Sequence, residues 1–440
     1  MSATAGVLGD RRAGPLPMPA RPPAASTRQI ITASLVGNVM EWYDFAVYGY
    51  FAVAIGAAFF PADDPVASTL AAFGVFAAGF LARPVGGALF GHIGDRFGRK
   101  RALLASVALM AVPTVLIGLL PTHAQLGNLA GLLLVVLRLL QGLAVGGEFT
   151  TSIVYVVEHA PASHRGRHGS WMEAGAIAGI LFGSAAGTLV ANLLSPEALG
   201  SWGWRVPFLF GIGVAGLGIW LRRQLPDVPS AGTDHGEQHS PLAAALASEW
   251  RTILRLILLC LPSGVAFYIL FVYVVSYLQT LDKIPPREAL DINTISMTVL
   301  IGCALLGGAL SDRFGRKPVA VIAMTGLLLL SWPLFTYLGH PVFNVMLASQ
   351  VCFALLVGLY AGQLPAMLAE SLPRQVRCTA ASISYNLSVG LFGGLTPMTA
   401  TWLIHRTGDE MIPAMLLLGV AALTLLGLWR APETAGKPLR

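Results

Sequence analysis

Two carboxylates, Glu41 and Asp44, lie three residues apart within the apolar stretch GNVMEWYDFAVYGYF (residues 37–51). An ionised group at the centre of a membrane helix costs about 2.5–3.5 kcal/mol on insertion scales, so such groups usually face a cavity or a partner. Asn38, Glu41, Asp44 and Tyr48 recur at helical spacing and form one polar stripe. A carboxylate in partly dry surroundings binds a proton readily. The stripe therefore predicts proton uptake by Glu41 or Asp44, and the alternative is a fixed ion pair that only holds helices together.

Arg138, Glu148 and Glu173 are further ionisable residues within apolar stretches. Arg138 and Glu148 are about 15 Å apart along a helix, so they are not each other's partner. A guanidinium donates two parallel hydrogen bonds to a carboxylate, which belongs here either to a substrate or to Glu41 or Asp44. The two alternatives combine if protonation of the acid releases Arg138, which then binds an anionic substrate. Glu148 and Glu173 are additional candidates for proton coupling.

Ionisable residues at comparable depth are absent from the second half of the sequence, which offers tyrosines and amides instead. We expect charge and proton chemistry in the first half and hydrogen-bonding specificity partly in the second. Arg83 is expected nearer the cytosolic end of its helix. The predicted substrate contacts are Asn38, Tyr48, Arg83, Arg138, Gln141 and Arg205 in the first half, and Tyr268, Tyr360, Gln363, Tyr385 and Asn386 in the second.

Long apolar helices must hold these residues. The chain of 440 residues is 55% hydrophobic and only 11% charged, with a mean hydropathy of +0.69, whereas a soluble domain carries roughly 25% charged residues. Its apolar blocks have the length of about 20 residues that crosses a bilayer. The prediction is an all-α membrane protein with twelve spans, at residues 30–54, 68–91, 102–120, 127–157, 168–194, 203–222, 253–279, 292–311, 318–338, 343–369, 378–404 and 411–430.

The distribution of positive charge predicts the topology. Only four of the 28 Lys and Arg residues fall in loops on one side, namely Arg205, Lys283, Arg287 and Arg406. By the positive-inside rule, both termini are cytosolic. The predicted units are a disordered tail (1–28) without the apolar core of a signal peptide, two six-helix bundles (29–222 and 253–430), the linker between them (223–252) and a short tail (431–440). The four cysteines lack CxxC spacing and are expected to be free, and no metal site is predicted.

Two motifs occur once in each half. GHIGDRFGRK (91–100) recurs as GALSDRFGRK (308–317), and EHAPASHR (158–165) recurs as ESLPRQVR (370–377). The first motif follows the second span of its half and the second follows the fourth, so the two bundles have the same orientation. Opposite charges can pair there with helix ends and with each other, and we expect bridges within each copy, Glu158 to Arg165 and Glu370 to Arg377. The alternative is that these charges only determine topology.

Two like-oriented six-span halves resemble the major facilitator transporters, whose substrate site lies at the midplane between the halves. The D-R-F-G-R-K motif is similar to the loop signature of that superfamily. GN-x-x-EW-x-DF-x-x-YG, RPVGG (83–87), RLLQG…GGE (138–148) and WGWRVPF (202–208) resemble the metabolite:proton symporter family. The resemblance implies alternating access, a bacterial inner membrane and a cytosolic gate that closes in the outward-facing state. Its expected residues are Asp95, Arg96, Arg99, Glu158, Arg165, Asp312, Arg313, Arg316, Glu370 and Arg377.

The expected function is symport driven by the proton gradient, without a cofactor. The sequence has no P-loop, HExxH or G-x-S-x-G motif, so neither an ATPase nor an enzyme is predicted. Three arginines (Arg83, Arg138, Arg205) favour a di- or tricarboxylate such as citrate or 2-oxoglutarate. The alternative is a betaine or proline carrier, because MIPA (411–414) and YNLSV (385–389) resemble the osmolyte carriers of the family. A membrane sensor and an efflux carrier are less favoured, and the expected form is a monomer in the bilayer that does not bind nucleic acid.

Overall fold

The computed structural model describes residues 27–62, 65–223, 241–280, 284 and 286–439. Helices occupy all twelve predicted spans, which we number in chain order. Spans 1 to 6 are Thr27–Tyr50, Pro65–Phe97, Arg99–Leu119, Asn128–His159, Arg165–Leu193 and Arg205–Arg223. Spans 7 to 12 are Trp250–Tyr273, Pro286–Phe314, Arg316–Leu338, Phe343–Glu370, Arg377–Thr407 and Ile412–Trp429. We call the side on which both described ends lie the cytosolic side, following the charge-based prediction.

Nine helices in the described part of the chain are long and apolar enough to cross a membrane. Spans 1, 5 and 6 are helices of 24, 29 and 19 residues, and the first two carry the buried carboxylates Glu41, Asp44 and Glu173. Span 2 continues past its predicted end to Phe97. Arg83 therefore lies about 21 Å from that end, near the middle of the helix and not near its cytosolic end as expected.

Four spans depart from a regular helix, and one of them is span 10, which is interrupted at residues 362–363 between Phe343–Ala361 and Leu364–Glu370. Span 1 is interrupted at Phe51, after which Ala52–Phe59 continues the crossing. Spans 7 and 11 contain π-helical turns at Pro262–Ala266 and Leu387–Gly393, and these turns pack against each other. Such turns break the regular hydrogen-bond ladder and are frequent at functional sites. The two π-helical turns lie next to the residues of the second half that face the first half.

Small residues let spans 1 and 5 pack closely. A methyl group added at Gly179 would lie 2.9 Å from the Cβ of Trp42, and one added at Gly183 would lie 2.7 Å from the Cβ of Ala46. Glycines recur every four residues along this face of span 5, as in other close helix contacts in membranes. The seam thus fixes span 1, and with it Glu41 and Asp44, against the rest of the first half.

The two halves meet along two helix pairs, span 2 with span 11 and span 5 with span 8. At the cytosolic end of the first pair, a methyl group added at Gly91 would lie 2.7 Å from the Cα of Thr379. In the second pair, one at Gly308 would lie 2.6 Å from the Cβ of Ser170. The halves are therefore in direct contact on the cytosolic side.

The sequence repeat is also a structural repeat. Gly98 and Gly315 hold the same place in the two D-R-F-G-R-K motifs, and both have a φ of 100°. Only glycine adopts this backbone readily, since it has no Cβ. Each glycine makes the sharp turn between two consecutive spans, which places Asp95 and Asp312 at equivalent ends.

The linker is in part an ordered helix. Pro241–Ser248 packs against spans 2 and 11, and its Ala245 is buried. The predicted linker over 223–252 therefore contains an ordered helix, which the apolar run LAAALA of this segment forms. The predicted tail, up to residue 26, and residues 224–240 lie outside the described part.

Candidate functional site

A hydrogen-bonded relay joins Asp44 to Arg138 inside the first half. The Thr114 hydroxyl lies 2.9 Å from Asp44 Oδ2 and 2.9 Å from the Met110 carbonyl, and it accepts a hydrogen bond from Gln141 Nε2 at 2.7 Å. Gln141 Oε1 in turn accepts from Arg138 Nη1 at 2.8 Å. Spans 1, 3 and 4 thus contribute one side chain or more each. A proton taken up by Asp44 changes the charge that faces Arg138.

Arg138 is fully buried among aromatic rings. Its guanidinium carbon lies 4.3 Å from the ring centre of Tyr48, 4.6 Å from that of Phe45 and 5.3 Å from that of Phe76. Within the described part of the chain, its Nε and Nη2 have no hydrogen-bond partner. Ring faces attract the cation and make its burial less costly. They do not supply the missing acceptors.

Arg83 lies at the junction of the two halves. It is fully buried, and its Nε donates to Asn386 Oδ1 of span 11 over 3.4 Å. Its guanidinium carbon lies 5.2, 5.8 and 5.4 Å from the ring centres of Trp42, Phe45 and Phe80, which we call the aromatic cage. Phe45 therefore contacts both buried arginines. The remaining Arg83 donors, Nη1 and Nη2, have no partner among the described atoms.

Residues of both halves surround this cage. The ring of Tyr268 lies 5.8 Å from Phe80, and that of Tyr385 lies 4.9 Å from Phe149, which in turn contacts Trp42. The junction thus combines a buried cation with aromatic rings from both halves.

Several predicted site residues have other partners. Asn38 donates to the Met172 carbonyl, the Tyr48 hydroxyl to that of Ala72 and the Tyr360 hydroxyl to that of Leu259, so each ties helices of its own half together. The predicted stripe on span 1 therefore does not face one cavity. The Glu148 side chain lies outside the described ones.

Arg205 and Gln363 are far from the junction. Arg205 is half-buried at the opposite side of the membrane, where it donates to the carbonyls of Ser201 and Leu120. Gln363 donates to the Arg316 carbonyl and accepts from the Ala320 amide when its side-chain amide is oriented to satisfy both groups. It therefore binds the cytosolic end of span 9. The structure therefore places neither of them beside Arg83, since sequence position alone does not fix depth, and their role as substrate contacts stays a prediction.

On the cytosolic side, Asp95 and Asp312 each cap a helix of the other half. Asp95 accepts from the amides of Cys378 and Thr379 at 3.2 and 2.8 Å and from the Thr379 hydroxyl at 2.7 Å, at the start of span 11. Asp312 accepts from the amides of Gly166 and Arg167 at 2.8 and 2.7 Å, at the start of span 5. Carboxylates stabilise helix N-termini by satisfying free amides and through the helix dipole.

Two ion pairs of the motifs cross between the halves. Glu158 pairs with Arg377 at 2.7 Å, and Glu370 lies 3.8 Å from Arg165. Glu370 also accepts two hydrogen bonds from Arg316, which pairs with Asp312 at 2.6 Å. The expectation of bridges within each copy is therefore wrong. The sequence shows the pattern twice but does not show that the copies face each other.

The remaining predicted gate residues lie at the margin of this cluster. Arg96 and Arg313 are exposed and lie over the rings of Phe97 and Phe314, at 5.4 and 5.3 Å. The Arg99 side chain is not among those described.

The C-terminal tail belongs to the same cluster, which sequence reasoning missed. Glu433 accepts from the amides of Arg316 and Lys317 at 3.0 and 2.9 Å, and the Thr434 hydroxyl donates to Glu370 at 2.7 Å. The Lys437 carbonyl accepts from Arg165 of the first half at 2.7 Å. Burial acts to raise the pKa of Glu433, but backbone amides, including those of Ala435, Arg316 and Lys317, outweigh it and lower that pKa. The sequence did contain a signal for this contact, because Glu433 is an isolated acidic residue in a short polar segment.

Fold and site together define a helical membrane transporter with two like-oriented six-span halves, which is the major facilitator fold. The profile of the family described as "Sugar (and other) transporter" matches residues 29–231 and 230–440, and the chain belongs to that family. Its assignment to the major facilitator superfamily from motifs is thereby confirmed.

Relatives of known name extend over most of the chain. It is 34% identical to the proline/betaine transporter of Salmonella typhimurium over 94% of this chain and 85% of that one. Identity and both coverages are the same for the glycine betaine/proline/ectoine/pipecolic acid transporter OusA of Dickeya dadantii.

Among solved structures, the proton:xylose symporter XylE bound to 6-bromo-6-deoxy-D-glucose superposes with a TM-score of 0.79, at 20% identity, over 94% of this chain and 97% of that one. An inward-open form of XylE from E. coli gives 0.66, at 21% identity, over 94% and 98%.

Proposed function

We propose that this protein is a proton-coupled symporter of the bacterial inner membrane that takes up a small zwitterion of the betaine or proline type by alternating access. The observation that carries the proposal is the separate placement of the two buried arginines. Arg138 is bound into a relay that ends at Asp44, whereas Arg83 reaches the junction of the halves with two donors unused. One arginine serves the proton and the other the substrate.

Proton coupling follows from the relay. When Asp44 is ionised, its charge balances that of Arg138 through Thr114 and Gln141. Protonation of Asp44 removes this balance, so the Arg138 guanidinium moves to another position or binds another acceptor. Phe45 contacts both guanidinium groups and therefore transmits the shift to Arg83. This link allows the proton to favour substrate binding.

The zwitterion is favoured over the di- or tricarboxylate by charge. A dicarboxylate needs at least two cationic groups at the junction, but Arg205 is remote and Arg138 faces the relay to Asp44 inside the first half. A neutral zwitterion meets both a guanidinium and aromatic faces that attract its ammonium group. The names of the relatives, proline/betaine and glycine betaine transporters, agree with this choice.

The cytosolic cluster completes the cycle as a gate. Two capping carboxylates, crossed ion pairs and the tail hold the halves together on that side. They must separate before substrate is released into the cytosol. We therefore assign the present structure to a state closed towards the cytosol.

Uptake into proteoliposomes under an inward proton gradient tests this function. Labelled glycine betaine, proline, citrate and 2-oxoglutarate are compared with and without a proton ionophore. We expect accumulation of betaine or proline that the ionophore abolishes. Accumulation of citrate or 2-oxoglutarate alone, or uptake that the ionophore leaves unchanged, would contradict the proposal.

A further inference from the structure

The aromatic cage of Trp42, Phe45 and Phe80 already holds a cation, the guanidinium of Arg83. Ring faces bind quaternary ammonium groups by the same attraction. All three rings are buried, which strengthens the interaction because water does not screen it. The cage is therefore a cation site that the protein fills with its own side chain.

The hydrogen bonds of Arg83 are incomplete in this position. A guanidinium has five donors, and here only Nε donates, over 3.4 Å to Asn386. Nη1 and Nη2 are buried without an acceptor in the described part of the chain. Unsatisfied buried donors are costly, and a carboxylate is the acceptor that a guanidinium fork fits best. The arrangement is one that an anionic group improves.

We propose that Arg83 is an internal occupant of the substrate pocket, which a betaine-type ligand replaces. The quaternary ammonium of the ligand takes the place of the guanidinium in the cage, and its carboxylate binds the displaced Nη1 and Nη2. This assignment rests on the proposed function and adds the residues and the order of events. The ammonium end fills the cage that the guanidinium leaves, and the carboxylate end satisfies the displaced guanidinium.

The second half contributes to the same pocket. Asn386 Nδ2 donates to the Gly146 carbonyl and the Ser382 carbonyl, so its Oδ1 is held towards Arg83. A methyl group added at Gly390 would lie 3.4 Å from the Arg83 Cβ, which shows how closely span 11 approaches span 2. When the guanidinium moves, the Arg83–Asn386 contact is lost. Ligand binding therefore loosens one link between the halves.

This exchange predicts that a ligand needs both charged ends. Tetramethylammonium has to displace Arg83 without offering it a carboxylate, and trimethylacetate offers a carboxylate but no cation for the vacated cage. We expect each to bind the wild-type protein at least about tenfold more weakly than glycine betaine. A tenfold ratio corresponds to about 1.4 kcal/mol.

Calorimetric titration of the purified protein with the three probes tests the proposal. In Arg83→Gln, the cage is empty and the fork is gone. We expect glycine betaine affinity to fall at least about tenfold and tetramethylammonium affinity to rise at least about tenfold. Phe80→Leu should weaken glycine betaine without this rise, and Phe59→Leu, a buried ring beside Trp204 far from Arg83, serves as the matched control. Arg83→Lys, which keeps the charge but not the fork, provides a second variant if the glutamine protein does not fold.

The pattern of outcomes separates this proposal from the proposed function. If the wild-type protein transports glycine betaine and Arg83→Gln binds it equally well, or gains no affinity for tetramethylammonium, the internal-occupant proposal is wrong and the function stands. Loss of glycine betaine binding in Arg83→Lys together with gain of tetramethylammonium binding in Arg83→Gln supports it. If the wild-type protein neither binds nor transports glycine betaine or proline, the proposed function itself fails.

Discussion

Phe45 lies between two buried arginines of the first half. On one side lies Arg138 at 4.6 Å and on the other Arg83 at 5.8 Å, while its neighbour Asp44 faces the Thr114 hydroxyl. One turn of span 1 therefore carries both the proposed proton acceptor, Asp44, and the ring that contacts Arg138 and Arg83. The GNVMEWYDF stretch predicted Glu41 or Asp44 as the acceptor, which stays a prediction. It did not predict the Phe45 contacts, because an apolar ring in an apolar helix has no distinctive signature.

Asp44→Asn should uncouple uptake from the proton gradient. The amide keeps a hydrogen-bond partner for Thr114 but cannot take up a proton. With a gradient of one pH unit and one proton per substrate, the wild-type protein supports up to about tenfold accumulation, and we expect the variant to reach only equilibrium. Exchange of labelled for unlabelled substrate should persist, because it needs no net proton movement.

Accumulation and exchange in proteoliposomes measure the two activities separately. The exposed carboxylate variant Glu197→Gln is the matched control and should accumulate substrate normally. Full accumulation by Asp44→Asn would remove Asp44 from the coupling mechanism and leave Glu41 or Glu173 to be tested.

At the level of helices, the crossed pair Glu158–Arg377 links the end of span 4 to the start of span 11. Removing one partner of a buried ion pair costs about 3–5 kcal/mol, because the other charge stays buried and unpaired. Glu158→Arg should therefore open the cytosolic side, and the double variant Glu158→Arg/Arg377→Glu should close it again.

The native Cys378 reports the opening, because it is buried directly behind Asp95. With Cys260, Cys303 and Cys352 replaced by Ala, a thiol reagent is applied to inside-out vesicles. We expect labelling of Cys378 to be at least about tenfold faster in Glu158→Arg than in the parent, and near the parental rate in the double variant. Equal rates in all three proteins would exclude a gating role for this pair.

The C-terminal tail docks on the cytosolic cluster, and we propose that it is a further element of the gate. Its Glu433 carboxylate accepts from the first amides of span 9, and this lowers the pKa of Glu433 below the ordinary value of 4.5. A group with a lowered pKa stabilises docking fully at pH values above its ordinary pKa. This stabilisation is lost as the pH falls through the lowered pKa. The tail should thus stay docked from pH 5 to pH 8.

Glu433→Gln should undock the tail within this range, since an amide accepts more weakly than a carboxylate. Faster Cys378 labelling at pH 7 is the expected readout, and Glu410→Gln, an exposed carboxylate variant at the other side, is the control. The same labelling rate in Glu433→Gln as in the parent would show that the tail is not part of the gate.

For the whole molecule, the sequence was sufficient for the fold. Blocks of about 20 apolar residues and a motif repeated with the same polarity depend on local composition, and the structure has helices at all twelve predicted positions. The contacts between the halves could not be predicted. Glu158 has an arginine of its own copy nearby in sequence, but the structure pairs it with Arg377 of the other copy. Arg205 and Arg83 look alike in sequence. Only packing shows that Arg205 lies at the side of the membrane opposite the cytosolic side and that Arg83 lies at the junction of the halves.

Proton flux tests the central claim most directly. Glycine betaine or proline is added to de-energised proteoliposomes in weakly buffered medium, and the external pH is recorded. We predict that the medium becomes alkaline as each substrate molecule enters with a proton, and that an ionophore abolishes the change. Entry of labelled substrate without any change in external pH would contradict proton-coupled symport.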